Sequence, residues 1–228
     1  MATKIIEKAY RRAPRKSRAE DILALDFVQS IESAWRGQER FALWLIQKLH
    51  PKVIVDLGFD QGLSTVIFGH KNSGHVYGID WFYEEGSYAE KSFALDSAFR
   101  TISQAIRFNY VKNIHLIIGP YRDVLRKWNR KIDLLHIHWA HTYQAVKMQY
   151  DSWQRHLKDE AVVLIHNVLS HPNEVGRFFT ELPFPKFLCS NGNGLGVVCS
   201  NELLIAEIRE LWKVSETPQL LNNSNDPL

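Results

Sequence analysis

Residues 53–65 read Val-Ile-Val-Asp-Leu-Gly-Phe-Asp-Gln-Gly-Leu-Ser-Thr. An apolar run ends on an acid, Asp56. A turn bracketed by Gly58 and Gly62 follows, and Ser64-Thr65 opens an expected helix. Glycine lacks a Cβ, so such a turn bends sharply and lets a ligand come close to backbone. The free N–H groups at a helix start can receive polar ligand atoms. Two phosphate-binding designs are excluded. A dinucleotide fingerprint needs Gly-x-Gly-x-x-Gly, and here Asp60 takes the place of the middle glycine, where its charge would repel a phosphate. A Walker loop needs Gly-Lys-Ser/Thr, which does not follow. The pattern therefore points to a nucleoside without phosphate, carrying a cationic group that an acid can hold.

A second acid, Asp80, closes the run Val76-Tyr77-Gly78-Ile79-Asp80. An acid about 20 residues beyond such glycines can accept both hydrogen bonds of a ribose diol. Trp81 follows and offers a face for a planar base.

These residues need elements that bring them together. The apolar spacing predicts helices over 22–31 and 38–49, the second stopped by His50-Pro51. Strands are expected over 52–57, 75–80, 114–118, 132–138 and 161–166. Helices over 63–68, 91–108 and 121–128 come between the first four of these strands. The 91–108 helix would present Leu95, Phe99, Ile102 and Ile106 on one face. The next helix carries an apolar stripe of Val146, Tyr150, Trp153 and Leu157. After a helix near 174–181, strands over 186–190 and 195–200 flank Asn191-Gly192-Asn193-Gly194, a hairpin signal. A last helix covers 202–212. Alternating strands and helices predict an α/β, doubly wound, mostly parallel sheet of seven strands closed by an antiparallel hairpin. Ligands of such sheets sit at the carboxyl ends of the strands.

At these motifs the chain resembles the class I S-adenosylmethionine-dependent methyltransferases, over residues 37–200. Val-Asp-Leu-Gly-x-x-x-Gly-x-Ser (55–64) is similar to the family's first motif, and Gly-Ile-Asp-Trp (78–81) to its second. Ile-Asp-Leu-Leu-His-Ile-His (132–138) is similar to the Asp-Leu-Leu-His-Ile-Asp-Gly-x-His-x-Tyr strand of a bacterial subfamily whose members often accompany glycosyltransferases. His141-Thr142-Tyr143, Asp151-Ser152-Trp153, Val163-Leu164-Ile165-His166 and Asn193-Gly194-Leu195-Gly196-Val197 continue the match. The resemblance implies the Rossmann-like methyltransferase fold and S-adenosylmethionine as cofactor. It implies that Asp56 and Gly58 border the methionine end, and Gly62 and Ser64 of the same turn are further cofactor-binding candidates. Asp80 would hold the ribose, Trp81 would flank the adenine, and Gly119-Pro120-Tyr121-Arg122 would lie under its far edge.

On that fold His138 and His166 end neighbouring strands, with His141 and Asn167 just beyond them. These four are the candidate catalytic residues. Related O-methyltransferases place carboxylates at these strand ends to hold a divalent metal. Here His138 stands where Asp is expected, Trp139 where Gly is usual, and Asn167 where a second acid follows the histidine. Hard cations want oxygen ligands, whereas three histidines and an asparagine favour Zn, Ni, Co or Fe. The alternative is no metal, with His141 taking the acceptor's proton, since an unperturbed imidazole titrates near 6.5. The metal is left open. His136 lies deeper on the same strand face and is expected in the core.

A chain of 228 residues with 45% hydrophobic content can bury one sizeable core. The expected organisation is a basic arm over 1–19, one domain over 20–213 and a disordered tail over 214–228. Residues 1–20 carry seven Lys/Arg against two acids, a net +5, and the remainder carries a net −2. The body therefore lacks the charge of a polybasic nucleic-acid binder, and nucleic acid is not an expected partner. No apolar run is long enough to span a bilayer, and no secretory signal is recognised at the N-terminus. Two cysteines make no disulfide framework, although Cys189 and Cys199 lie symmetrically about Gly194 and could face each other across the hairpin. A reduced, cytoplasmic protein is expected. Of seven tryptophans, Trp44, Trp153 and Trp212 are expected in the core, with Trp35 and Trp139 near the pocket. The functional expectation is methyl transfer from S-adenosylmethionine to oxygen of a small-molecule or carbohydrate acceptor, with a histidine base. The alternative is a degenerate fold that binds the cofactor or its product as a regulatory module. The oligomeric state stays open, a homo-oligomer among the options.

Overall fold

The structure is a computed structural model that describes residues 22–23, 26–81, 88–108 and 110–212. The expected arm over 1–19 and tail over 214–228 lie outside the described residues. A short helix α1 (Asp26–Gln29) precedes α2 (Glu39–Leu49), whose Phe41, Ala42, Leu45 and Ile46 are buried on one face. Its end is a left-handed residue, His50, whose N–H donates to the Ile46 carbonyl. Pro51 then prevents the helix from resuming. Of the predicted helix over 22–31, residues 26–29 form α1 and residues 24–25 lie outside the described residues. The helix does not run on to 31, where the Arg36 guanidinium takes the carbonyls of Val28, Gln29 and Ile31. Those carbonyls would otherwise accept helical N–H groups.

The strands β1 (Val53–Leu57), β2 (His75–Asp80), β3 (Ile114–Ile118), β4 (Ile132–Ile137) and β5 (Leu157–His166) are connected by three helices. These are α3 (Leu63–Gly69), α4 (Tyr88–Arg107) and α5 (Tyr121–Lys127), with α6 (Tyr143–Trp153) completing the series. A π-helical turn (Pro172–Gly176) and α7 (Arg177–Glu181) replace the single helix expected near 174–181. The hairpin β6 (Lys186–Cys189) and β7 (Leu195–Val198) and then α8 (Glu202–Leu211) follow. The sheet order is β3-β2-β1-β4-β5-β7-β6, parallel through β5 and antiparallel across both β7 pairings. The predicted seven-stranded, hairpin-closed α/β sheet is therefore the observed one. The strand order reverses between β1 and β4, the position at which such sheets bind ligands.

Side chains alternate across the sheet. Ile54, Leu134 and Leu164 join one core with α2, α3 and α8. Val55, Leu135 and Val163 join the other with α6 and α7. Asp56 and His136 share the first face and are register partners. Trp35 and Trp153 are fully buried, and Trp44 and Trp212 pack half-buried against the first core.

Two expectations are corrected. Helix α4 buries Ala98, Ile102 and Ala105, while Phe99 and Ile106 are about half exposed at 46% and 48%. The inward face is set by small residues, because Ala98 and Ile102 pack directly onto Gly62. The two cysteines are buried free thiols that do not oppose each other. Cys189 pairs with Leu195, and the Cys199 N–H donates to the Pro185 carbonyl. The turn is centred two residues earlier than the symmetry about Gly194 suggested. No helix among the described residues is long and apolar enough to cross a membrane.

Candidate functional site

The end of β1 meets a tight set of polar contacts. Asp56 is fully buried. Its Oδ2 accepts from Ser64 Oγ at 2.7 Å and Thr65 Oγ1 at 2.6 Å, and its Oδ1 lies 2.7 Å from His136 Nδ1. Burial works against the ionised form, but His136 and the two hydroxyls outweigh it and hold the carboxyl below its usual range. Ser64 thus faces Asp56 from the first turn of α3.

The two turn glycines have packing reasons for lacking a Cβ. A Cβ on Gly58 would lie 2.4 Å from Trp139 Cβ, and its φ is +81°. Gly62, at φ +87°, caps α3 and sits 3.1 Å from Ile102 Cδ1 by the same construction. Between them Asp60, at φ +46°, donates its N–H to Asp80 Oδ2 at 2.9 Å. Asp80 thus buttresses the turn as well as ending β2. Burial, with smaller repulsion from Asp60 and Asp56, pushes its carboxyl up to about 7. Burial likewise raises Asp60.

A small cavity opens here, lined by Leu57, Gly58, Ile79, Asp80, Trp81, Gly119 and Tyr121, with Trp139 and Gln149 among its walls. It gathers the sequence-predicted residues Gly58, Asp80, Trp81, Gly119 and Tyr121. Asp56, Gly62 and Ser64 are not among its lining residues. A larger cavity of about 530 Å³ lies at the other end of the strands, beside Lys131, Asp133 and Lys158, and holds none of the sequence-predicted site residues.

At the ends of β4 and β5, His138 and His166 meet edge to face with ring centroids 4.7 Å apart. Burial drives His138 down to about 3. Burial, then His138, drives His166 to about 2. Both are neutral near pH 7. Among the described residues, His138 Nδ1 is buried with no hydrogen-bond partner. Asn167, left-handed at φ +68°, donates Nδ2–H to the His138 carbonyl at 3.3 Å. His141 does not join them. It is exposed and stacks on His171, with centroids 4.9 Å apart and planes 7° from parallel. His171 Nδ1 lies 3.0 Å from Ser170 Oγ, which is 3.3 Å from Asn167 Oδ1. Ser170 and His171 escaped the sequence reading. Their only signal was a polar pair just beyond a strand end.

The divalent-metal site of related enzymes does not fit these residues. The strand ends offer crossed imidazoles instead of carboxylate oxygens, which hard cations require. Among the described residues no three His, Cys, Asp or Glu groups are disposed to hold one ion.

Residues 55–168 match the family model described as a methyltransferase domain. The uncharacterized protein y4gI of Sinorhizobium fredii is 29% identical over 161 residues, 66% of this chain. The chain spans only 17% of the length of that curated relative. Among solved structures, a Geobacter sulfurreducens methyltransferase aligns with a TM-score of 0.57 at 16% identity, covering 86% of this chain and 96% of that one. A Bacillus cereus O-methyltransferase in complex with S-adenosylhomocysteine aligns at 0.55 and 18% identity, covering 82% and 91%. The Streptomyces achromogenes O-methyltransferase TomG, in complex with S-adenosylmethionine, aligns at 0.53 and 15%, covering 79% and 85%. These likenesses are of fold.

Proposed function

The chain belongs to the methyltransferase-domain family of the class I S-adenosylmethionine-dependent methyltransferases, and we propose that it methylates an oxygen of a small-molecule or carbohydrate acceptor. The observation that carries the cofactor half is the Asp80-Trp81 pair, lining a cavity beside the glycine turn at the point where the sheet order reverses. In this reading Asp80 accepts the ribose hydroxyls and Trp81 flanks the adenine. Gly119 and Tyr121 form its floor, and Asp56, Gly62 and Ser64 shape the turn. The bound cofactor supplies a methyl already activated on a sulfonium, so the protein's work is alignment and proton removal. With the cofactor bound, its methyl group would pass to the acceptor oxygen and leave the neutral thioether as product. His141 takes the acceptor's proton, because it is exposed and adjoins the strand ends. His138 and His166 hold their protons too weakly for that role and form the wall of the site with Asn167. The two free cysteines support a reducing, cytoplasmic setting.

Calorimetry with S-adenosylmethionine and S-adenosylhomocysteine tests the cofactor half. The wild type binds both, and Asp80→Ala weakens binding about tenfold or more. With a carboxyl titrating at about 7, wild-type affinity is about tenfold lower at pH 6 than at pH 8, following the ionised fraction. No binding, or equal binding by Asp80→Ala, sinks the reading. On an acceptor panel, His141→Ala lowers turnover by about 100-fold with cofactor affinity unchanged.

A second reading is a regulatory module that binds the cofactor without turnover. The packing of Trp139 onto Gly58, at a position where the subfamily that the chain resembles usually has glycine, favours it. Any methylated product from the acceptor panel that His141→Ala abolishes removes it.

A further inference from the structure

A buried hydrogen-bond chain runs from the N-terminal segment to the glycine turn. Trp35 Nε1–H reaches His136 Nε2 at 3.2 Å, His136 Nδ1 reaches Asp56 Oδ1 at 2.7 Å, and Asp56 Oδ2 accepts Ser64 and Thr65. Trp35, His136, Asp56 and Thr65 are each 0% exposed, and Ser64 1%. An indole nitrogen can only donate. His136 Nε2 must therefore accept, which leaves the ring neutral with its hydrogen on Nδ1, pointed at Asp56. Trp35 and Phe68 stand edge-on to the imidazole at 5.8 and 5.3 Å and hold its plane. The segment carrying Trp35 is itself anchored. Gln38 Nε2 donates to the Asn191 carbonyl, and Asn191 Nδ2 donates to the Gly37 carbonyl at 3.2 Å.

We infer that Trp35 and His136 are positioning residues for the cofactor turn. They act through Asp56, and the docking of residues 31–38 against the hairpin is part of forming the cofactor cradle. His136 resembles its neighbours His138 and His166 in sequence but differs in kind. It has both ring nitrogens hydrogen-bonded, while its ring stacks on that of His138 with centroids 5.5 Å apart. The chain holds one end of the turn's frame, the first residues of α3 through Asp56, while Asp80 separately holds Asp60. The inference rests on the cofactor reading proposed above.

Two measurements on the full chain test it. In protein labelled with ¹⁵N-histidine, the nitrogen spectrum shows an Nδ1–H imidazole that disappears in His136→Asn, beside that of buried His70, whose Nδ1 donates to the Tyr110 carbonyl at 3.1 Å. An Nε2–H tautomer or an imidazolium at His136 overturns the inference. Titration with S-adenosylhomocysteine gives the second readout. His136→Leu, which cannot donate to Asp56, weakens binding about tenfold or more. His136→Asn places an amide N–H near the Nδ1 position and restores binding to within about threefold of wild type. Trp35→Phe keeps the packing, frees the His136 tautomer and weakens binding, which covers the case of an unfolded leucine variant. Equal binding by wild type, Trp35→Phe and a folded His136→Leu overturns this inference alone. Failure of the wild type to bind overturns the cofactor reading and the positioning role together.

Discussion

Asp56 and Asp80 end adjacent parallel strands, and their carboxyls move in opposite directions. Asp56 is met by a histidine and two hydroxyls and stays ionised. Asp80 is met by one backbone N–H of Asp60 and by like charge, so burial dominates. His138 and His166 are depressed from 6.5 by burial. These groups set a pH profile for the fold. Between pH about 4 and 6.5 the unfolded chain holds two extra protons on the histidines, while the native chain holds one extra on Asp80. Stability from these three groups therefore rises with pH by about 1.4 kcal/mol per unit. Above about 6.5 the last histidine protons of the unfolded chain and the Asp80 proton of the native chain leave together and nearly cancel, so stability levels off. The Asp56 contribution is present above 3.8 and is lost as pH falls through its lower folded value. A denaturation series from pH 4 to 8 should rise to about pH 6.5 and then level off, and Asp80→Asn should steepen the rise. A steady decline from pH 4 to 6.5 would contradict these assignments.

The glycine turn shows how an element can look like a ligand device and also serve packing. Gly58 lets β1 end against the Trp139 backbone, and Gly62 lets α3 start against α4. Gly58→Ala brings a Cβ 2.4 Å from Trp139 Cβ at a φ of +81°. It should cost about 2–4 kcal/mol in urea denaturation. Adding Trp139→Gly should recover at least about 1 kcal/mol beyond the sum of the single changes. Additive effects would mean the crowding is not what requires glycine. Most elements were legible from periodicity within a few residues. The departures came from contacts distant in sequence. The carbonyls of α1 went to Arg36, the face of α4 was set by Gly62, and the hairpin centre was set by its pairing register. None of these is encoded in the local pattern.

The whole molecule is a sheet between two cores, with the candidate site along the strand ends that separate them. Ile46 belongs to one core and Phe178 to the other. Ile46→Ala and Phe178→Ala should each cost about 2–5 kcal/mol. The pair should add to within about 0.5 kcal/mol in a single cooperative transition. Two transitions would show that the sheet does not couple its faces. At this scale the sequence by itself determined the alternation of strands and helices, the hairpin, and the two acids with their glycine turn. Those signals are local, carried by side-chain period and backbone freedom within a dozen residues. Only the tertiary structure decided that His141 pairs with His171 instead of His138, and that burial leaves His138 and His166 neutral. It alone decided that Trp35, 101 residues from His136, supplies the hydrogen that fixes its tautomer. Burial and long-range hydrogen bonds depend on which surfaces the fold brings together, and no local spacing contains them.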